Sequence, residues 1–111
     1  MIWYFTPYST NKNLGEYYNN CMALVPKGDW ACFTDGDAMF TTSNFGHHLE
    51  DIIKDNPDYS LFTCMTNRVG TKYQCVEDTW SIESMRQHNE IGKELQKKYK
   101  TEVVDLSLIH I

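Results

Sequence analysis

An α/β fold, with a mostly parallel sheet packed between helices in three layers (α/β/α), is what this chain of 111 residues predicts. Three observations carry that expectation. Short aromatic and β-branched runs alternate with segments whose apolar residues recur at helical spacing. No internal repeat or low-complexity linker interrupts the alternation. The two loops richest in chemistry, TPYSTNKN and TDGDAMF, both leave strand-like runs at their carboxyl ends, where parallel sheets hold their ligands.

The elements follow in order. MIWYFTPYS is an aromatic and β-branched run broken by Pro7, a buried strand that leaves its sheet at the proline. In NKNLGEYYNNCMALVP, Leu14, Tyr17, Tyr18, Cys21, Leu24 and Val25 recur at helical spacing. Asn13 is placed to cap this helix with Glu16 three residues on, and Pro26 closes it. KGD turns the chain into WACFT, a second apolar strand that delivers Asp35, Gly36 and Asp37. Phe45, Leu49, Ile52 and Ile53 mark a second helix, begun near Ser43 or Asn44 and stopped by DNPD. YSLFTCMT reads as a third strand and NRVGTKYQCVEDTWS as a long polar loop. A third helix starts at Asp78 or Ser81 and carries Ile82, Met85, Ile91, Leu95 and Tyr99, and TEVVDL is a fourth strand candidate.

Charge and length narrow the function classes. A formal net charge of −5 and a pI near 5.2 argue against a nucleic-acid partner, which needs a positive field. The basic run KELQKKYK is interleaved with Glu94 and reads as a solvated helix face. No apolar run approaches the ~20 residues of a membrane span, and the N-terminus lacks a signal-peptide layout, so the expectation is a cytoplasmic protein with no integral membrane segment. Cys21, Cys32, Cys64 and Cys75 form no CxxC pair, and three of them lie in apolar stretches. They read as buried free thiols, with a zinc site at His47 and His48 a remote alternative.

Two carboxylates one residue apart repel each other, so Asp35 and Asp37 point to a cation or proton held between them. Gly36 lets the backbone bend close to a ligand. Two hard oxygen ligands suit Mg²⁺ or Mn²⁺, ions that complete their shell with water and substrate phosphates. An ion bridging a diphosphate stabilises the charge developing on it and makes it a better leaving group. Three other readings stand beside this one. A calcium loop begun at Asp35 would put Met39, Phe40 and Gly46 where a ligand, a glycine and a glutamate are required. A haloacid-dehalogenase-type phosphatase would use Asp35 as nucleophile and Asp37 as acid, but it wants the order DxDGT/V where this chain has DGDAM. A structural turn with solvated aspartates needs no ligand.

The ordered series FTPYST, NLGEYYNN, DWACFTDGDAMF and LFTCMTNRVG resembles the nucleotide-sugar half of a GT-A glycosyltransferase, family 2-like, in its small bacterial and phage-type members, over nearly the whole chain to about Leu106. The resemblance implies a partial GT-A (nucleotide-diphospho-sugar transferase) fold that binds a nucleotide-diphosphate sugar and transfers the sugar to a hydroxyl of a saccharide, lipid or protein acceptor. It implies that Asp35 and Asp37 form a DxD element with Mn²⁺ or Mg²⁺, with Asp37 the direct ligand and Asp35 shared with the ribose. Thr6, Pro7 and Tyr8 would line base and ribose, and Asn67 and Arg68 would face the sugar or the diphosphate. Lys12 and Lys72 are weaker phosphate candidates, read as solvated, and a surface ion pair is an equal alternative for Arg68.

The chain departs from the family in two places. The usual second strand with its base-binding aspartate is not evident before DGD. No carboxylate after Asp37 has the standing of a general base, because Glu77, Asp78, Glu83 and Glu90 read as loop or helix-surface residues. LSLIHI resembles a translated sequencing adaptor, so the expected organisation is a donor-binding part over residues 1–106 followed by a non-native tail over 107–111, with the acceptor part missing. A non-catalytic nucleotide-binding module is the competing function class.

The remaining histidines and aromatics have structural readings. His47 and His48 are neighbours on one helical turn and cannot face one site; His88 is expected to be exposed, and His110 belongs to the tail. Trp3, Tyr4, Phe5, Trp30 and Phe33 are assigned to the core, and Tyr8, beyond the proline, is free to meet a ligand.

Overall fold

The structure, a computed structural model, describes residues 1–67 and 74–98 and divides into two units, Met1–Asp51 and the residues from Ile52 onward. It holds helices and a small parallel sheet: β1 (Ile2–Phe5), α1 (Leu14–Leu24), β2 (Trp30–Phe33), α2 (Phe45–Asp55, running across the unit boundary) and α3 (Met85–Lys98). The α/β class therefore holds in its coarse form. Arg68, Lys72, TEVVDL, His110 and the 107–111 tail lie outside the described residues.

The first unit is a β–α–β arrangement. β1 and β2 pair in parallel, with Ile2 opposite Trp30 and Phe5 opposite Phe33. Parallel neighbours need a crossover between them, and α1 supplies it. Asn13 caps α1 as its sequence suggests: its Oδ1 accepts from the Glu16 amide at 3.2 Å, and its Nδ2 donates to the Glu16 carboxylate at 3.1 Å. The helix ends at an extended Val25. Pro26 to Asp29 then form a turn with a 3.1 Å hydrogen bond, in which Gly28 takes φ +94°, the left-handed value a glycine adopts without cost.

Side-chain alternation along the strands places Phe5 and Phe33 on one face of the sheet and Tyr4 on the other. Tyr18 of α1 packs on Phe33 with ring centroids 4.6 Å apart, and Phe5 stacks on Phe33 at 5.6 Å. On the opposite face Phe45, the first residue of α2, meets Tyr4 edge-on at 5.8 Å. Burial raises the Tyr4 phenol pKa, and the nearby Cys32 and Glu50 raise it further.

Burial is shallower than the strand pattern implies. Trp3 and Tyr4, assigned to the core from sequence, are 37% and 45% exposed, because among the described residues the sheet has two four-residue strands, which offer little surface to cover them. The apolar stripe of α1 narrows to Tyr18, Cys21 and Val25; Leu14, Tyr17 and Leu24 are exposed. Cys21 is the one buried apolar residue among those described.

Trp3 nevertheless has a specific partner. Its Nε1–H donates to Asp29 at 2.9 Å, and the Met1 ammonium lies 3.3 Å from the same carboxylate. The Trp3 hydrogen bond, with help from the ammonium, holds the Asp29 pKa below the ordinary aspartate value. A depressed carboxyl pKa contributes stability that is complete above the unfolded value of about 3.9 and is lost as pH falls through the folded value. The Trp3 indole N–H resonance is accordingly expected to shift on acidification with a midpoint below about 3.9. Asp29→Asn should remove that inflection; a midpoint at or above the ordinary value would contradict the pairing.

The second unit corrects four expectations. No strand forms over residues 59–65: only Thr66 makes a bridge, to Cys75, with Val76 N–H donating to Thr66 at 2.8 Å. An apolar run becomes a strand only when a neighbour takes up its ladder, and Leu61 and Met65 stay exposed. Cys64, expected inside that strand, is exposed; Cys32 and Cys75 are half-buried, and all four cysteines are free thiols. α3 starts at Met85, because Asp78 takes φ 58° and the buried Thr79 hydroxyl donates to Val76 at 2.8 Å, tying that stretch into a turn. Ser84 caps the helix instead, its Oγ accepting from the Gln87 amide at 3.4 Å. His88 is half-buried, with its Nε2 2.9 Å from the Ile82 carbonyl, whereas His47 and His48 are exposed as expected. The DNPD stop operates: the Asn56 side chain donates to the Ile52 carbonyl at 2.8 Å, and Pro57 follows. Among the described residues no helix is long and apolar enough to cross a membrane.

Candidate functional site

The parallel pairing does not stop at Phe33. The Thr34 amide donates to the Phe5 carbonyl at 2.9 Å, and the Thr6 and Thr34 hydroxyls share a hydrogen bond at 3.4 Å. Both strands thus end level with each other, and the two loops that leave them, Thr6-Pro7-Tyr8 and Asp35-Gly36-Asp37, start side by side. A β-turn follows at once, closed by the Ala38 amide on the Asp35 carbonyl at 3.1 Å. The turn lies over Thr6: a Cβ built on Gly36 would meet Thr6 Cγ2 at 3.8 Å, an ordinary contact. Gly36 has no left-handed φ, so the bend does not depend on its being glycine.

The two carboxylates project from this turn as exposed residues. Past Asp37 the chain runs through exposed Ala38 and Met39 to half-buried Phe40, whose ring stacks on Phe45 at 4.2 Å with planes 3° apart.

On the other side of the tip, Tyr8 is 69% exposed and lines a polar groove of about 290 Å³ with Asn11, Glu16, Tyr17 and Asn20. The loop forming that groove is internally cross-linked. The Ser9 hydroxyl donates to Asn11 Oδ1 at 2.5 Å, and the Asn13 amide donates to both Ser9 Oγ and Asn11 Oδ1 at 3.1 Å. Lys12 stands in this loop at φ 60°.

The structure therefore sets Thr6 against Thr34 and the Asp35–Asp37 turn, while Pro7 and Tyr8 continue from Thr6 toward the groove beside α1. Asn67 belongs to the second unit, where its carbonyl accepts from the Thr79 hydroxyl at 3.2 Å and from the Cys75 thiol at 3.7 Å. Its backbone has a structural job there. Sequence reasoning passed over Thr34, Phe40 and the polar face of α1. The α1 face was legible: Asn13, Glu16, Tyr17 and Asn20 recur at i, i+3, i+4 and i+7, the spacing of one helical stripe. Phe40 carried no such signal, because stacking onto Phe45 depends on how the loop folds back.

Among the described residues no three His, Cys, Asp or Glu side chains converge on a point that would hold an ion by themselves. The donor set at the tip is two carboxylates on one turn. That set fits an ion that arrives with phosphate oxygens and keeps several waters, the habit of Mg²⁺ and Mn²⁺; it does not fit an ion held entirely by protein.

No protein-family model matches the chain, and comparison with curated proteins and with solved structures gave no match either.

Proposed function

We propose that the chain is the donor-binding part of a metal-dependent glycosyltransferase with a three-layer GT-A fold, binding a nucleotide-diphosphate sugar at the tip of β1 and β2 for transfer of the sugar to an acceptor hydroxyl. One observation carries the reading: the in-register parallel pair ends with Thr6 beside Thr34, which sets the Thr6–Tyr8 and Asp35–Asp37 loops next to each other at the carboxyl edge of the sheet. The chemistry of each loop supports it. Tyr8, exposed and bordering a polar groove, offers a ring face and a hydroxyl to a base and ribose. Asp35 and Asp37 are the residues that would hold Mn²⁺ or Mg²⁺ against the diphosphate, where the ion supplies Lewis-acid stabilisation of the leaving group.

The reading is tested by titrating nucleoside diphosphates of uracil, guanine, adenine and thymine with and without Mn²⁺, followed by calorimetry. Binding of one of them, strengthened at least about tenfold by Mn²⁺, is the expected result. Metal-independent binding would replace the transferase with a nucleotide-binding module. Phosphate release from a simple ester through an aspartyl intermediate at Asp35 would replace it with a phosphatase, and no binding at all would reject the site.

A further inference from the structure

Asp37 lies inside the turn closed by the Ala38 amide on the Asp35 carbonyl at 3.1 Å, and it is followed by exposed Ala38 and Met39, whose side chains add little packing beyond that turn. The chain that enters the turn is fixed by the strand ladder: Thr34 is bonded to Phe5 through the backbone at 2.9 Å and to Thr6 through the side chain. The chain that leaves the turn is fixed at Phe40. Phe40 lies parallel to Phe45 at 4.2 Å, Phe45 opens α2, and its ring meets Tyr4 of β1 edge-on at 5.8 Å, a second favourable aromatic geometry. Tyr4 is itself held down from two directions. It pairs with Cys32 in the sheet, and its hydroxyl lies over Gly46, where an added Cβ would come within 3.6 Å of it. That is an ordinary contact distance, so the start of α2 packs directly on the Tyr4 hydroxyl.

From this geometry we infer that Phe40, Phe45 and Tyr4 form an aromatic clamp that returns the acidic loop to β1, and that Phe40 is a positioning residue for Asp37. The segment from Thr34 to Phe40 is tied at both ends to the same strand, at Phe5 on one side and at Tyr4 through Phe45 on the other. The Ala38–Asp35 hydrogen bond closes the turn itself, and the stacked Phe40 ring fixes the chain that leaves it. The clamp limits the freedom of that chain, so less ordering remains to be done when an ion and a diphosphate arrive. The metal role of Asp37 rests on the reading proposed above; the clamp adds the device that sets its position.

The experiment compares the Mn²⁺-dependent gain in nucleoside diphosphate affinity in the wild type, Phe40→Ala and Phe40→Tyr, with thermal unfolding measured alongside. Phe40→Ala is expected to cut the gain by about tenfold while affinity without metal stays within about twofold of wild type, and Phe40→Tyr, which keeps the stacked ring, should restore it. An unchanged gain in Phe40→Ala, or an equal loss with and without metal that tracks a lower unfolding temperature, would overturn the clamp and leave the site reading intact. A wild type with no gain from Mn²⁺ would overturn both. Phe45→Ala, which removes the ring joining Phe40 to Tyr4, is the second variant and should reproduce the loss from the other end of the clamp.

Discussion

Replacing Phe33 by alanine should lower the stability of the fold by about 2–3 kcal/mol, somewhat under the ~3–5 kcal/mol of a fully buried phenylalanine because the residue is half-buried. For a domain of this size the loss corresponds to a drop of roughly 10–20 °C in the unfolding midpoint, read by far-ultraviolet circular dichroism. The reason is position. Phe33 is the last residue of β2, it stacks on its partner Phe5 of β1, and Tyr18 of α1 closes on its other side at 4.6 Å. One ring therefore joins both strands to the crossover helix, in a unit with few other buried contacts. Phe33→Leu keeps much of the volume and should recover more than half of the loss. A midpoint shift of only a degree or two for Phe33→Ala would mean that the sheet is held by its backbone ladder instead.

Asp37→Asn is the second large effect, and it acts on binding. The substitution keeps shape and removes charge, so it should abolish the Mn²⁺-dependent part of nucleoside diphosphate binding. Partners outside the ligand shell typically cost ~10–100-fold in metal affinity, and a direct ligand should cost at least the upper end of that range. Stability should be unaffected, because the carboxylate is exposed. Gly36→Ala is the control. With no left-handed φ at Gly36 and its nearest neighbour at an ordinary 3.8 Å, the added methyl should leave both stability and metal-dependent binding close to wild type. If Gly36→Ala were as damaging as Asp37→Asn, the turn's shape would matter more than its charge.

Much of the first unit could be read directly from residue order. The run from Trp3 to Pro7, the Asn13–Glu16 cap and the Pro26–Gly28 turn each act locally, through dihedral preference or a hydrogen bond three residues long, and each appears where its residues stand. The meeting of the Thr6 and Asp35 loops followed from a general property, the shared carboxyl edge of parallel strands. What could not be read depends on neighbours. YSLFTCMT has strand composition but no strand forms over 59–65, since composition does not supply a ladder partner. Asp78 and Ser81 were plausible caps for α3, yet the Thr79 hydroxyl bonds back to Val76 and Asn67 and keeps that stretch in a turn until Ser84. Trp3 and Tyr4 look like core residues until the width of the sheet is known. The acidic pair was visible at once, but its anchor at Phe40 was not, because stacking on Phe45 is decided by the return path of the loop.

The scarcity of interior side chains has a thermodynamic consequence. Cys21, at 6% exposure, is the single buried apolar residue among those described. Unfolding releases little hydrocarbon into water from such an interior, so the heat-capacity increment and the denaturant slope of these segments are both small. A stability curve of that kind is broad and varies gently with temperature.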